Sequence, residues 1–283
     1  MTVNKIEDNN AQEYKTKESF VAFVDILGFS QMIVEDGGKG ETLKVVKDAI
    51  ASATKLLEER KAIHNHPYAF WYKEFQVKSF SDCFCFSIPL EFDNGEKDYK
   101  QNFVAFYVWI QAFCNTLLKA GFLCRGGITQ GWHYSDDKII FSKALVDAYL
   151  LESKKANHPL ILIHQDLIDN LVQKGFGEQH YYQYMFVHDT TGRSFLHPFN
   201  YSIVDELFFG FVEQVNGKLI EERSELIEVF LSIIERNIEK LIGRSEVDKW
   251  QWLKEFSHYT LSGQYYDRFS PGLFRSRKGK EYK

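Results

Sequence analysis

The sequence predicts an α+β fold with the order β-α-β-β-α-β, the split βαβ plan of ferredoxin-like domains. Three observations carry that expectation. Phe20 to Val24 is a continuous run of Phe, Val and Ala, as a strand covered on both faces requires. Phe75 to Ile88 reads as two strands joined at Ser81-Asp82. Around these segments, apolar residues recur with the three-to-four step of amphipathic helices.

Taken in order, residues 1–17 read as a flexible lead-in. The first strand ends near Asp25, and Gly28 opens a tight turn into a helix. From Glu41 to Arg60, Leu43, Val46, Ile50, Ala53 and Leu57 form one helical stripe. Pro89 closes the second strand of the hairpin. Tyr99, Phe103, Phe106, Ile110, Phe113 and Leu117 define a long amphipathic helix that Gly121 stops. Leu123 to Gln130 follows as a strand interrupted by Gly126-Gly127. Phe141 to Glu152 reads as a helix, and Pro159 to Ile163 as a short buried strand. Further on, Tyr181–Val187 and Tyr201–Val212 read as strands around a polar loop, Asp189 to Arg193. Glu222 to Ile242 reads as a helix stopped by Gly243, and Trp250, Trp252 and Phe256 mark one more. The chain thus divides into the lead-in, a main domain over 18–195, and a mainly helical C-terminal extension over 196–283.

Composition narrows the function classes. Of 283 residues, 45% are hydrophobic and 16% aromatic, including 25 Phe and 15 Tyr, enough to fill a sizeable core. A net charge of −5 gives no electrostatic reason to expect nucleic-acid binding. The basic residues Arg275, Arg277, Lys278, Lys280 and Lys283 read as a solvated tail. Cys83, Cys85, Cys114 and Cys124 show neither a CxxC pair nor zinc spacing. Cys83 and Cys85 fall on one strand face as small core residues, a usage that fits a reducing compartment. Met1 to Glu18 has no apolar signal core. The longest apolar stretch, Phe103 to Leu118, is broken by Gln111 and Asn115. A cytoplasmic protein without a membrane span is the expectation.

The chemistry is concentrated in two aspartates, each ending an apolar strand: Asp25 after Phe20 to Val24, and Asp82 after Val77 to Ser81. An ionised carboxylate in such a place needs a cation to offset its desolvation. Two brought together repel unless a divalent ion lies between them. Mg²⁺ or Mn²⁺ with substrate phosphates is the usual chemistry of that arrangement. Taken singly, Asp25 reads equally well as a helix-capping or turn acid, and Asp82 as a hairpin-turn acid.

The motifs around these acids resemble class III nucleotidyl cyclases. Phe23-Val24-Asp25-Ile26-Leu27-Gly28-Phe29 is similar to the family's F-x-D-I-x-G-F segment, and Lys78-Ser79-Phe80-Ser81-Asp82 to its K-x-x-G-D hairpin. Arg125-Gly126-Gly127-Ile128-Thr129-Gln130-Gly131 is similar to its R-x-G-I-x-x-G strand, and Phe141 to Glu152 stands where it has a helix. The set occurs in the family's order over about Phe20 to Ile163. Its wording, with Ala144-Leu145-Val146-Asp147-Ala148-Tyr149 and Ala156-Asn157-His158-Pro159, most resembles the Pycsar pyrimidine cyclases of bacterial antiphage defence.

The resemblance implies a class III cyclase catalytic domain over 18–195 and a lyase reaction, UTP to 3′,5′-cyclic UMP and diphosphate. Cytidylate cyclase, adenylate cyclase and a non-catalytic nucleotide-binding module follow as alternatives. It implies two Mn²⁺ or Mg²⁺ ions per site, held by Asp25, Asp82 and the Ile26 carbonyl, with Arg125 on the phosphates. Gly28 and Phe29 would open the helix that receives the triphosphate. Lys78 holds the base-reading position, without deciding which base. Phe23 lies on the same strand face as Asp25 and reads equally as base contact or core. The family's ribose-binding asparagine and transition-state arginine fall at Val146 and Leu150, and its helix-opening glycine at Ser142. Lys143 and Arg125 are the cations left to replace that arginine, although Lys143 also reads as an exposed helix-start residue. Shared active sites in a head-to-tail homodimer are implied, as is a separate effector that senses the cyclic nucleotide.

Overall fold

The strand predicted over Phe20 to Val24 becomes β1 (Lys17–Ile26), an interior strand of a nine-stranded sheet. A computed structural model describes residues 15–61, 74–92, 95, 98–176, 185–199, 213–215, 218–220, 223–262 and 269–271. Short helix α1 (Phe29–Asp36) and long helix α2 (Glu41–Lys61) follow β1. Hairpin strands β2 (Gln76–Phe80) and β3 (Cys83–Pro89) lead into α3 (Tyr99–Lys119), and β4 (Cys124–Ser135) completes the unit. β1 lies antiparallel between β3 and β4, with β2 beyond β3. The order β4-β1-β3-β2 is that of a split βαβ unit, so the α+β expectation holds.

The sheet then grows on the β4 side. β5 (Ile140–Ser142) pairs with the end of β4, and α4 (Lys143–Lys155) crosses to β6 (Ile161–Ile163), parallel to β4. After α5 (Gln165–Gln173), β7 (Phe186–Asp189) and β8 (Ser194–Leu196) extend the edge. A separate small hairpin pairs β9 (Glu213–Val215) with β10 (Lys218–Ile220). Helices α6 (Arg223–Lys240) and α7 (Val247–Ser262) follow, and β11 (Phe269–Pro271) returns to pair with β7.

Alternation along β1 assigns the faces. Phe20, Ala22, Val24 and Ile26 join the main core with Val46, Ala49 and Ala53 of α2 and the aromatic side of α3. Val21 packs on the opposite face with Cys85 and Ala144 of α4. On that second face α6 and α7 cover the far strands, where Phe230, Ile234, Trp250 and Phe256 pack with Leu162, Val187 and Phe195. The extension therefore shares a hydrophobic cluster with the sheet, and its described helices bear out a mainly helical C-terminal part. Among the described residues, no helix is long and apolar enough to cross a membrane.

Three boundaries differ from the expectation. Phe141 lies in β5, not in a helix, because Ile140 to Ser142 pair with β4. The Ser142 hydroxyl accepts a hydrogen bond from the Leu145 N–H at 3.0 Å and starts α4 one residue later. β4 runs unbroken through Gly126-Gly127. There the glycines serve close packing: a Cβ on Gly126 would lie 2.4 Å from the Phe23 carbonyl oxygen, and one on Gly127 2.3 Å from that of Ala148. The strand expected over Tyr181–Val187 appears as β7, beginning at Phe186, with 181–184 outside the described residues. Residues 1–14, the expected strand Tyr201–Val212 and the basic tail also lie outside the described residues.

Candidate active site

Three strand ends converge where β1 finishes. In the register, Asp25 stands opposite Cys83 at the start of β3 and opposite Arg125 at the start of β4. Directly paired residues share a face, so these three side chains emerge together. Asp82 arrives from the two-residue turn between β2 and β3, whose carbonyl accepts the Ile26 N–H at 3.2 Å. That bond ties the turn to the last residue of β1. Ser81, the first turn residue, has φ 59°, a left-handed conformation normally left to glycine.

One ligand atom from each of Asp25, Asp82 and Cys83 lies within 4.8 Å of the others. The Cys83 Sγ is 3.8 Å from Asp25 Oδ1 and 3.9 Å from Asp82 Oδ1. Arg125 closes the other side: its Nε is 3.2 Å from Asp25 Oδ2 and also meets Oε1 of Glu152 on α4. Glu152 is 3% exposed, Asp25 15% and Arg125 32%. One guanidinium thus serves two nearly buried carboxylates with a third acid beside them.

The electrostatics follow from that imbalance. Burial raises the Asp25 pKa most, the charge of Asp82 raises it further, and Arg125 only partly offsets both. Glu152 is raised as well, by burial first and then by Asp25, against the pull of Arg125. The Cys83 thiol is pushed up to about 12 by burial and by the charges of Asp25 and Asp82. Two carboxylates and a thiol at this spacing could hold a divalent cation, whose charge would offset that of the acids.

The other expected residues divide into two groups. Phe23 and Lys78 lie on one register row, Lys78 opposite Cys85 and Cys85 opposite Phe23, on the face that carries Asp25. Phe23 is buried, with Tyr149 of α4 edge-on at 5.4 Å and Phe80 at 6.3 Å. Lys78 Nζ is 3.4 Å from Oδ1 of the fully exposed Asp137. Gly28 has φ 80°, and Phe29 begins α1. The first helical hydrogen bond runs from Met32 N–H to the Gly28 carbonyl at 3.0 Å, which leaves earlier N–H groups of the turn without helical acceptors.

Lys143 stands apart. It opens α4 beside Ser142, which pairs with His133, which in turn pairs with Lys17 at the other end of β1. Eight residues of strand separate Lys17 from Asp25, about 26 Å at 3.3 Å per residue. Lys143 is ion-paired with Asp147 on its own helix, so within one chain it does not join the acids. The same helix instead delivers Glu152 and Tyr149, neither of which the sequence reading selected. Glu152 had a legible signal: it lies four residues after Ala148 and eight after Ala144, a charge on the helix's buried stripe. Cys83 was read as a core residue, and the structure corrects this: its sulfur faces both carboxylates, because pairing with Asp25 turns it toward them. Val146 and Leu150 are 55% and 38% exposed.

No protein-family model and no curated protein matches the chain. Among solved structures, it is similar to the catalytic core of a rhodopsin-guanylyl cyclase with converted specificity in complex with ATPalphaS. That superposition has a TM-score of 0.41 and 18% identity, over 65% of this chain and 97% of that one. A class III adenylyl cyclase-like ATP-binding protein from Pseudomonas aeruginosa matches with a TM-score of 0.39 and 13% identity. There the match covers 59% of this chain and 38% of the other, so the chain spans little more than a third of that protein's length.

Proposed function

We propose that this chain is a metal-dependent nucleotide cyclase that converts UTP to cyclic UMP and diphosphate. The observation that carries the reading is the convergence of Asp25, at the end of β1, and Asp82, in the β2–β3 turn, beside Arg125. A divalent ion held by Asp25 and Asp82 would neutralise charge on the triphosphate and make the ribose hydroxyl more acidic. The protein's own part is placement and charge. Asp25 and Asp82 hold the cation, and Glu152 keeps the Arg125 guanidinium aimed at Asp25. Arg125, a third exposed, offers positive charge to the departing phosphates. The turn at Gly28 and Phe29 presents backbone N–H groups to the triphosphate. Phe23 and Lys78, on the same face, lie within the same sheet surface as the base would.

The preference for uracil rests on the resemblance of the motif wording to the Pycsar cyclases, as does the role in antiphage defence through a separate cyclic-nucleotide effector. The same source motivates a head-to-tail homodimer. The exposure of Phe80, Val146, Tyr149 and Leu150 supports it, since a second copy would cover the apolar surface that α4 and β2 present on the face of the acids. Lys143, Val146 and Leu150 recur at helical spacing on α4, so Lys143 would reach a site from the partner rather than from its own chain.

The competing reading is a nucleotide-binding module without turnover, favoured by exposed Val146 and Leu150 where the resembling cyclases carry polar groups. Incubating the pure protein with Mn²⁺ and each of the four nucleoside triphosphates separates the two. Diphosphate release from UTP is expected, with CTP next. Release from ATP alone makes it an adenylate cyclase. Nucleotide binding by calorimetry without release from any of the four establishes the non-catalytic reading.

A further inference from the structure

Cys83 is the one cysteine whose sulfur faces the acids, and its position differs from that of its neighbour two residues on. Cys85 points to the same strand face but is buried against Val21 and Ala144. Cys83 is only partly buried, at the open end of the sheet, where packing does not require a thiol. Two features fix it there. The strand register sets it opposite Asp25, and the two-residue turn sets Asp82 immediately before it. Its Sγ is nearly equidistant from one oxygen of each carboxylate, at 3.8 and 3.9 Å.

Those separations can be compared with a metal's demands. A tetrahedral ion with a sulfur ligand at about 2.3 Å and oxygen ligands at about 2.0–2.2 Å places sulfur and oxygen about 3.5–3.7 Å apart. The distances found are only a few tenths of an ångström longer, a gap that small side-chain rotations close. The donor set of two carboxylate oxygens and one sulfur is also chemically lopsided. Mg²⁺ takes oxygen ligands in near-octahedral geometry and gains nothing from a thiolate. Borderline-soft ions such as Zn²⁺ and Co²⁺ do gain from one.

We propose that Cys83 is a third protein ligand of the ion held by Asp25 and Asp82, and that its sulfur biases this site toward Zn²⁺ and Co²⁺ over Mg²⁺. The assignment rests on the metal site of the proposed cyclase and specifies which ions that site selects. On binding, the Sγ–metal bond forms as the thiol proton leaves to solvent; nothing is oxidised or reduced.

The test uses the full chain, stripped of metal with a chelator. Added Co²⁺ is expected to give a thiolate-to-cobalt charge-transfer absorption in the near ultraviolet, lost in Cys83→Ser and Cys83→Ala. By calorimetry, Cys83→Ser is expected to weaken Zn²⁺ at least about 10-fold while changing Mg²⁺ less than about 3-fold, the range usual for disturbed metal sites. Should both variants misfold, wild-type protein still decides the matter. X-ray absorption of the wild-type Zn²⁺ complex should show one sulfur neighbour at about 2.3 Å. A wild-type Co²⁺ complex without charge transfer, or a Zn²⁺ complex with only nitrogen and oxygen neighbours, overturns the assignment. If diphosphate release with Mn²⁺ persists beside either result, the cyclase stands and the Cys83 ligand falls. A charge-transfer band with no turnover of any triphosphate keeps the ligand and removes the cyclase.

Discussion

Asp25→Asn removes a negative charge from a place where burial and Asp82 work against it and Arg125 only partly supports it. The carboxylates of Asp25 and Asp82 offer oxygens within 4.8 Å of each other. At that separation two unit charges repel by about 0.9 kcal/mol in bulk water and about 3.5 kcal/mol at an effective dielectric constant of 20. Asparagine keeps an oxygen for the Arg125 Nε, now at 3.2 Å, and Arg125 keeps Glu152, so only part of the attraction is lost. We expect the metal-free variant to be about 1 kcal/mol more stable at neutral pH, a Tm gain of about 2–4 °C for a chain of this size. The sign with pH follows from the raised Asp25 pKa. Its protonated form adds stability at low pH, and that stability is lost as pH rises through the folded value. The gap between variant and wild type therefore closes as pH falls into the range just above ordinary carboxylates. Divalent metal should reverse the ranking, since an ion at 100 times its Kd stabilises the wild type by about 2.7 kcal/mol and finds one ligand fewer in the variant. Differential scanning calorimetry with chelator and with Mn²⁺, beside diphosphate release, measures all of this. A metal-free variant that melts lower than wild type would refute the reasoning, because Asp25 would then be a net stabilising partner of Arg125.

Two further substitutions probe the frame around the acids. Ser81→Gly relieves the left-handed φ of 59° in the turn that carries Asp82, and should raise stability by about 0.5–1 kcal/mol in urea unfolding, with diphosphate release unchanged. Gly127→Ala would set a methyl 2.3 Å from the Ala148 carbonyl oxygen, so α4 must shift and take Glu152 with it. A loss of about 3 kcal/mol or more, by the same urea titration, is expected for an overpacked backbone contact.

Much of the frame was legible from periodicity alone. The hairpin at Ser81-Asp82 and the helix stripe from Tyr99 to Leu117 each sit where local pattern places them. Asp25 and Asp82 could be singled out because a carboxylate ending an apolar strand is costly wherever the strand goes. What sequence could not supply was pairing. Glu152 meets Arg125 only because Gly127 lets α4 lie against β4, and Cys83 meets Asp25 only through the β1–β3 register. Gly126-Gly127 read as a break because glycine weakens an isolated strand; here its missing Cβ is what the packing uses. Lys143 followed from alignment along the chain, whereas the direction of α4 carries it to the opposite end of β1.

Leu27 comes two positions after Asp25, yet its side chain belongs to the cluster of Phe230, Ile234 and Trp250. The segment bearing the first acid is therefore anchored on one flank by the main core, through Ile26, and on the other by α6 and α7. A fragment cut before α6 would leave Leu27, Leu123, Leu162 and Phe195 facing water, a sticky patch at the root of the site itself. For this chain, the smallest unit that keeps the acids in place extends well past the last of them.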